Sequence, residues 1–396
     1  MGNKVFVIGV GMTNFEKPQT REWTYPEMVA EAVQHALADA NIDYAQIQQA
    51  FGSTSFGPLA QRSLYTVGQT GVPIMTVTNA CASGSSALFL ARQAVRTGDI
   101  DLALAVGWEK MQRGSLGGGS DDGPGFLDLH LDAMAALVGP LDPKAPLTVQ
   151  MFGNAGREHM KLYGSTHEHF AWIGWKNHAH SVNNHRSQFR TAYTIEQIQQ
   201  APMIWDPLTK LQCSPTSDGA AGAVLASERY VDEHDLGSHA VEFAGHHIAT
   251  DAADSFSTAS CIDIMGAQVS KRAAQIAMDQ AEIGIDDVDV IELHDCFSTN
   301  ELITYEALGM ADTGEGHKLV DNQATTYGGK WVVNPSGGLI SKGHPIGATG
   351  VAQCAELVWQ VRGEADKRQV SGARIGLQHN IGLGSAAAVA VYRARA

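Results

Sequence analysis

Cysteine is scarce in this chain: five in 396 residues, at positions 81, 213, 261, 296 and 354. Five scattered thiols cannot form a disulfide framework. They suit a reducing compartment, which makes the cytoplasm the expected location. Cations are also few, 27 Lys and Arg against 42 Asp and Glu, for a net charge of -15. Without a basic stripe, general nucleic-acid binding is excluded. A local patch for a small phosphorylated ligand stays open, with Lys176, Arg186 and Arg190 as candidates by location and charge. No apolar run approaches the roughly 20 residues of a membrane span. The amino terminus lacks the apolar region of a signal peptide and reads as a first core strand. That early strand also argues against myristoylation at Gly2, and the end, Ala394-Arg395-Ala396, is not a Ser-Lys-Leu address.

Two nucleotide signatures are missing as well. No Gly-Lys-Ser/Thr ending marks a Walker loop, and Gly9-Val10-Gly11 leads to Asn14 where a dinucleotide fingerprint needs its third glycine. The histidines at 159, 167, 169, 178, 180 and 185 contain no His-Glu-x-x-His. They read as a polar helical surface over a cleft, and no metal is expected.

What the chain does have is a large apolar fraction, 44%, and length for two or three domains. Val5–Val10 reads as a buried strand and Tyr25–Ala40 as a helix, followed by a strand near Gln48–Gly52. A later stretch repeats this order: a helix over Gln268–Ala281, then Ile285-Asp-Asp-Val-Asp-Val, matching Ile42-Asp-Tyr-Ala-Gln-Ile in spacing, then a strand. A second parallel joins the segment after Cys81 to the one after His344: small residues, an apolar helix face, a further strand. Two similarities in the same order point to an internal duplication. Between them, Gly114–Gly125 is a breaker, and a helical, histidine-rich excursion follows. The expected organisation is a first half over 1–115 and 208–240, an inserted loop domain over 116–207 covering the active site, and a second half over 241–396.

Four places could carry chemistry. Cys81 heads an apolar helix whose amino terminus would favour the thiolate, although a small buried cysteine is the plainer reading. His344 lies in Asn334–Gly350, a tract with five glycines, where a clamped ring would serve as a general base; an anion-cradling loop is the alternative. In His294-Asp295-Cys296-Phe297, persistence of the strand would turn His294 and Cys296 to one side and Asp295 to the other. A zinc half-site is the rival there, without a matching pair elsewhere. Gln378–Ser385, with Gly382, could offer one amide of an oxyanion hole or be a plain turn.

Together, Asn79-Ala-Cys81-Ala-Ser-Gly, His294-Asp-Cys296-Phe, Gly343-His344-Pro345 and Asn380-Ile-Gly382-Leu-Gly resemble the thiolase superfamily, and within it the sterol-carrier-protein branch. Ordinary thiolases carry Asn-Glu-x-Phe where this chain has His-Asp-Cys-Phe, and a cysteine where it has Asn380. The thiol absent at 380 stands instead at 296. The resemblance implies an α/β thiolase fold: two duplicated βαβαβ-type halves in a layered αβαβα arrangement with an inserted loop domain. It implies thiolysis of a 3-oxoacyl-CoA by CoA through an acyl-Cys81 intermediate, in fatty-acid or sterol side-chain degradation. His344 would be the base and Cys296 the acid, with His294 and His344 holding the thioester oxygen and the amides of Cys81 and Gly382 the oxyanion. CoA would be a co-substrate rather than a bound cofactor, and the expected partner is a second copy, in a homodimer. Rival readings are a decarboxylating condensing enzyme, disfavoured by Cys296; a retro-aldolase, disfavoured by Cys81; and a non-catalytic lipid-binding protein. The lipid-carrier domain that follows in animal relatives is not found here, which speaks against lipid transfer.

Overall fold

The computed structural model describes residues 3–112, 125–383 and 386–395. The breaker Gly114–Gly125 therefore lies almost wholly outside the described residues, as do Gly384 and Ser385. The first half runs β1 (Val5–Met12), α1 (Tyr25–Ala40), β2 (Gln49–Ser53), α2 (Ala60–Leu64), β3 (Ile74–Val77), α3 (Ser83–Arg96) and β4 (Leu102–Glu109). An excursion follows: α4 (Asp128–Val138), α5 (Leu147–Tyr163), α6 (His167–Ser181), α7 (Ile195–Gln199), β5 (Met203–Trp205) and β6 (Leu208–Thr209). The chain returns through β7 (Gly219–Ser227) and α8 (Glu228–Glu233). The second half is β8 (Val241–Ala249), α9 (Cys261–Ile264), α10 (Ala267–Ala281), β9 (Val290–Glu292), α11 (Ser298–Ala307), α12 (Gly316–Asp321), β10 (Val332–Val333), α13 (Gly338–Ser341), α14 (Thr349–Arg362), β11 (Ile375–Gly382) and β12 (Ala386–Ala394).

Ten of the strands form one sheet, β3-β2-β4-β7-β1-β8-β12-β11-β9-β10, and β5 pairs with β6 apart from it. Read outward from its centre, each half repeats the same plan. In the first, β1–β7 and β7–β4 are antiparallel while β4–β2 and β2–β3 are parallel. In the second, β8–β12 and β12–β11 are antiparallel while β11–β9 and β9–β10 are parallel. The halves join where Phe6 faces Glu242 and Val7 faces Val241. The duplication read from spacing is thus present in topology. Even the short polar repeats fold alike, as 3-10 turns at Tyr44–Gln46 and Ile285–Asp287.

Local sequence explains the outer helices. Thr24 and Glu27 form a capping box at the start of α1, Pro26 fits its first turn, and Asn41 closes it in a left-handed conformation. Its buried stripe of Met28, Val29, Ala32, Val33, Ala36 and Leu37 lies on the sheet, each large side chain contributing roughly 1.5–3 kcal/mol. Gly9 lets α1 come close: a Cβ there would sit 2.3 Å from the Ala36 carbonyl oxygen. Gly245 does the same for α10, where a Cβ would meet the Ala277 oxygen at 2.0 Å. The glycine pair that begins like a nucleotide fingerprint is therefore a helix-packing device.

Between the two halves of the sheet lie α3 and α14. Ala87, Leu88, Ala91 and Val95 share one core with Val351, Ala352, Ala355 and Val358. Two further cores lie under α1 and α10, which gives the layered αβαβα order. The excursion has its own apolar cluster, which includes Cys296 and Phe297 of the second half. Among the described residues, no helix is long and apolar enough to cross a membrane.

Candidate active site

The site forms where α3 and α14 begin, so each half supplies a reactive residue at an equivalent place. Before α3, the loop after β3 turns sharply at Ala80, whose φ is +45°. Ser83 closes it: the Asn79 amide donates to its hydroxyl at 2.7 Å, and that hydroxyl donates to the Ala80 carbonyl at 2.6 Å. Cys81 projects from this loop, two residues ahead of the helix. Gly382, at the end of β11, packs against it; a Cβ there would approach the Asn79 carbonyl oxygen to 2.4 Å.

His344 is fixed from two directions. Its amide donates to Ser217 Oγ at 2.9 Å. Its Nδ1 lies 2.7 Å from Thr349 Oγ1, which spends its own proton on the Pro345 carbonyl at 3.0 Å. Thr349 must therefore accept, so Nδ1 carries the ring proton and Nε2 a lone pair. That Nε2 is buried and has no hydrogen-bond partner among the described residues. Cys81 Sγ and one ring nitrogen each of His294 and His344 lie within 4.8 Å of one another. The two imidazoles meet edge to face, with centroids 5.2 Å apart. A thiol and two imidazoles at that spacing could also hold a soft cation.

The strand β9 ends at Glu292, so His294 and Cys296 stand on an irregular loop rather than a continued strand. Asp295 still points away from them. Its carboxylate accepts from the amides of Leu339 at 2.7 Å and Ile340 at 3.2 Å and from Asn177 Nδ2 at 2.8 Å. Cys296 is buried, and Cys81 lies near enough to add to the cost of ionising its thiol.

Burial governs the electrostatics. It pushes the Cys81 thiol up to about 12, against an amide hydrogen bond from Leu383 that favours the thiolate. Burial likewise raises the Cys296 thiol, lowers His344 to about 3, and holds His294 well below the usual imidazole range. The helix amino terminus favours the Cys81 thiolate, but desolvation is the larger effect on the thiol. The resting cluster is two neutral thiols and two neutral imidazoles. Proton transfer from Cys81 must accompany attack rather than precede it.

Other expectations need correction. Lys176 cannot reach a phosphate: it is fully buried, 2.6 Å from Glu301 and bonded to the Val333 carbonyl at 3.0 Å. The Arg186 guanidinium stacks 4.3 Å over the Trp359 ring. Arg190 is exposed. The histidine-rich helix α6 is not a polar surface, since Phe170–Gly174, Lys176–His178, His180 and Ser181 are buried. His178 and His180 are bound to the Leu211 and Asn334 carbonyls, and His159 to Glu306. Three contributors escaped the sequence reading: Thr349, Leu383 and Asn380, whose Nδ2 lies 2.8 Å from His294 Nδ1. Thr349 alone left a signal, a hydroxyl five residues after the clamped histidine.

Comparison with known proteins agrees with this geometry. Residues 5–229 match the family described as "Thiolase, N-terminal domain", and residues 250–394 match "Thiolase C-terminal domain-like". Sterol carrier protein 2 of Bos taurus is 52% identical over 99% of this chain and 72% of its own length. Acetyl-CoA acetyltransferase of Methanothermobacter thermautotrophicus is 36% identical over 98% of this chain and 99% of its own. In structure, the chain is similar to the Ltp2-ChsH2(DUF35) aldolase, with a TM-score of 0.82 and 22% identity, covering 99% of this chain and 98% of that one; this shows the fold alone. With both halves matched and the reactive loops in place, the chain belongs to the thiolase family, in its sterol-carrier-protein branch.

Proposed function

We propose that the protein is an acyltransferase that cleaves a 3-oxoacyl-CoA with CoA, releasing acetyl-CoA, or propionyl-CoA from a 2-methyl-branched substrate. The observation that carries this reading is the Cys81 thiol beside a buried imidazole nitrogen with a free lone pair. As Cys81 sulphur attacks the 3-keto carbon, its proton passes to His344 Nε2. The amides of Cys81 and Gly382 hold the oxyanion. Collapse breaks the bond between carbons 2 and 3 and leaves the acyl group on Cys81. The electron pair moves into the thioester enolate, whose oxygen is held by His294 and His344, and Cys296 protonates carbon 2. Incoming CoA gives its thiol proton to the Cys296 thiolate and takes the acyl group, while His344 returns its proton to Cys81. One such oxyanion donor is worth about 3–4 kcal/mol, so loss of His294 lowers the rate on the order of 10²–10³. Cleavage is favoured over condensation on chemical grounds, which makes the role degradative, in fatty-acid or sterol side-chain breakdown.

A homodimer is proposed as well. Strand β3 ends the sheet with partly exposed residues, and Phe56, Leu59 and Tyr65 beside it are 56%, 66% and 48% exposed. Such an edge invites a second copy. Five unpaired cysteines support a reducing compartment, taken here as the cytoplasm.

The test is to mix the protein with a 3-oxoacyl-CoA, omit CoA, and take intact mass and peptide maps. The expected result is an acyl adduct on Cys81 that disappears on addition of CoA, with acetyl-CoA released. No adduct across straight-chain, 2-methyl and steroid-derived substrates overturns the reading in favour of a retro-aldolase or lipid-binding role.

A further inference from the structure

His294 is asked to donate a hydrogen bond to an oxygen, yet a neutral imidazole carries one proton and could place it on either nitrogen. The hydrogen bonds behind the ring decide which. Their direction can be traced from a backbone carbonyl, a group that can only accept. Gln378 Nε2 lies 2.9 Å from the Gly350 carbonyl oxygen, so the amide nitrogen, not its oxygen, must face that way. The same nitrogen donates to Ser85 Oγ at 2.9 Å. Gln378 Oε1, on the other side, accepts from the Tyr392 hydroxyl at 2.7 Å, which agrees with that orientation. Ser85, having accepted, turns its own proton to Asn380 Oδ1 at 2.9 Å. The oxygen of Asn380 is thereby committed to Ser85, and its Nδ2 faces His294 Nδ1 at 2.8 Å. An amide nitrogen can only donate, so His294 Nδ1 accepts and the ring proton sits on Nε2.

Every member of the chain is shielded from water: Ser85 and Asn380 are 0% exposed, Gln378 1%, His294 2% and Tyr392 0%. A buried, fully paired chain of this kind resists reversal, because turning one member leaves two like groups face to face. Burial and the neighbouring His344 and His379 oppose a second proton on the ring.

We propose that Asn380, Ser85 and Gln378 are positioning residues that hold His294 in the tautomer with its proton on Nε2, so that it meets the thioester oxygen as a donor. The position where ordinary thiolases carry a cysteine here sets the polarity of the oxyanion site. This rests on the thiolase reading for its purpose but not for its geometry, and the test separates the two. Long-range proton–nitrogen spectra of the ¹⁵N-histidine protein, with the His294→Gln variant to identify the signal, report the tautomer without any substrate. Nε2–H is expected; Nδ1–H or an imidazolium in the unmutated protein overturns the proposal. Kinetics then test the relay. Asn380→Leu is expected to lower kcat by about 10²–10³ with KM nearly unchanged, the loss of one oxyanion donor. Ser85→Ala, which does not touch His294, is expected to lower kcat about tenfold or more and to add a second, Nδ1–H signal. Unchanged spectra and kcat in Ser85→Ala overturn the relay. If the Nε2–H signal stands while no thiolysis occurs with any substrate, the functional reading fails and the relay stands.

Discussion

Replacing Gly350 with alanine should cost far more activity than stability. Gly350 is the second residue of α14, where that helix meets the start of α3. A Cβ there would lie 2.3 Å from both the Ser85 amide nitrogen and Ser85 Oγ, and 2.9 Å from the Gly84 carbonyl carbon. The obstacle is mostly backbone and cannot rotate away. The two helices must part by about 1 Å to restore ordinary contact distances. Overpacking of this kind costs typically about 1–3 kcal/mol, and the upper end applies where the neighbour is main chain. In a chain of this size that lowers the thermal midpoint by only several degrees. However, Cys81 precedes one of these helices and His344 the other, so the parting is delivered to the reacting pair. A misplacement of about 1 Å is worth roughly 10²-fold in rate. The assay is kcat/KM for thiolysis beside a thermal scan, with Gly222→Ala as the control. A Cβ at Gly222 meets nothing nearer than the Ala32 oxygen at 3.3 Å, so that variant should keep its activity. Gly350→Ala with wild-type kcat/KM and midpoint would refute the claim that helix spacing sets the site.

Two further predictions follow from burial. Because desolvation lifts the Cys81 thiol to about 12, its thiolate fraction is still rising above neutrality. Alkylation of Cys81 by iodoacetamide, followed by peptide mapping, should therefore accelerate about 10²-fold between pH 7 and 9, and a plateau at or below pH 7 would contradict a neutral resting thiol. Lys176→Met strands the Glu301 carboxylate beside Asp295 in the protein interior, which should cost about 3–5 kcal/mol in urea unfolding. Adding Glu301→Gln should recover much of that loss, and a single variant within about 1 kcal/mol of wild type would show that the pair is dispensable.

The parts legible in the sequence were those with local causes. Helix α1 announces itself through Thr24, Glu27, Pro26 and an apolar stripe, and the duplication shows because both copies keep the same turn before β2 and β9. Cys81 and His344 could be singled out because small residues and glycines crowd around them. What could not be read was which groups meet across the chain. Asn380 is 86 residues from His294, and the Thr326, Asn334 and Leu211 partners of the α6 histidines come from elsewhere in the chain. Spacing alone shows α6 as a polar face, because its histidines and Lys176 look solvated until Glu301 and backbone carbonyls close over them. The protonation of Cys81 is hidden from the sequence for a related reason. A helix terminus is visible in sequence, whereas the depth of burial that overrides it is a property of the assembled layers.

The duplication also explains why chemistry gathers on one side. Glu109 is the last residue of β4 and pairs with Gly219, the first of β7; Gly382 is the last of β11 and pairs with Ala386, the first of β12. These are equivalent places with opposite uses. In the first half, the Glu109 carboxylate gathers Thr54 Oγ1 at 2.8 Å, the amides of Ser55 at 2.9 Å and Phe56 at 3.1 Å, and the Gly347 amide of the other half at 3.0 Å. The loop after β2 is thereby tied down and linked to the tract that carries His344. In the second half, Gly382 stands where Glu109 stands in the first. The loop after β9 carries His294 and Cys296, and the end of β11 supplies Asn380 behind the ring and Gly382 beside Cys81. One copy thus acts as an anchor and contributes a single thiol, while the other supplies the proton-handling groups. Both corners form around the same two helices, so the anchor in the first half and the reactive groups of the second share one spacing, and neither half alone can hold it.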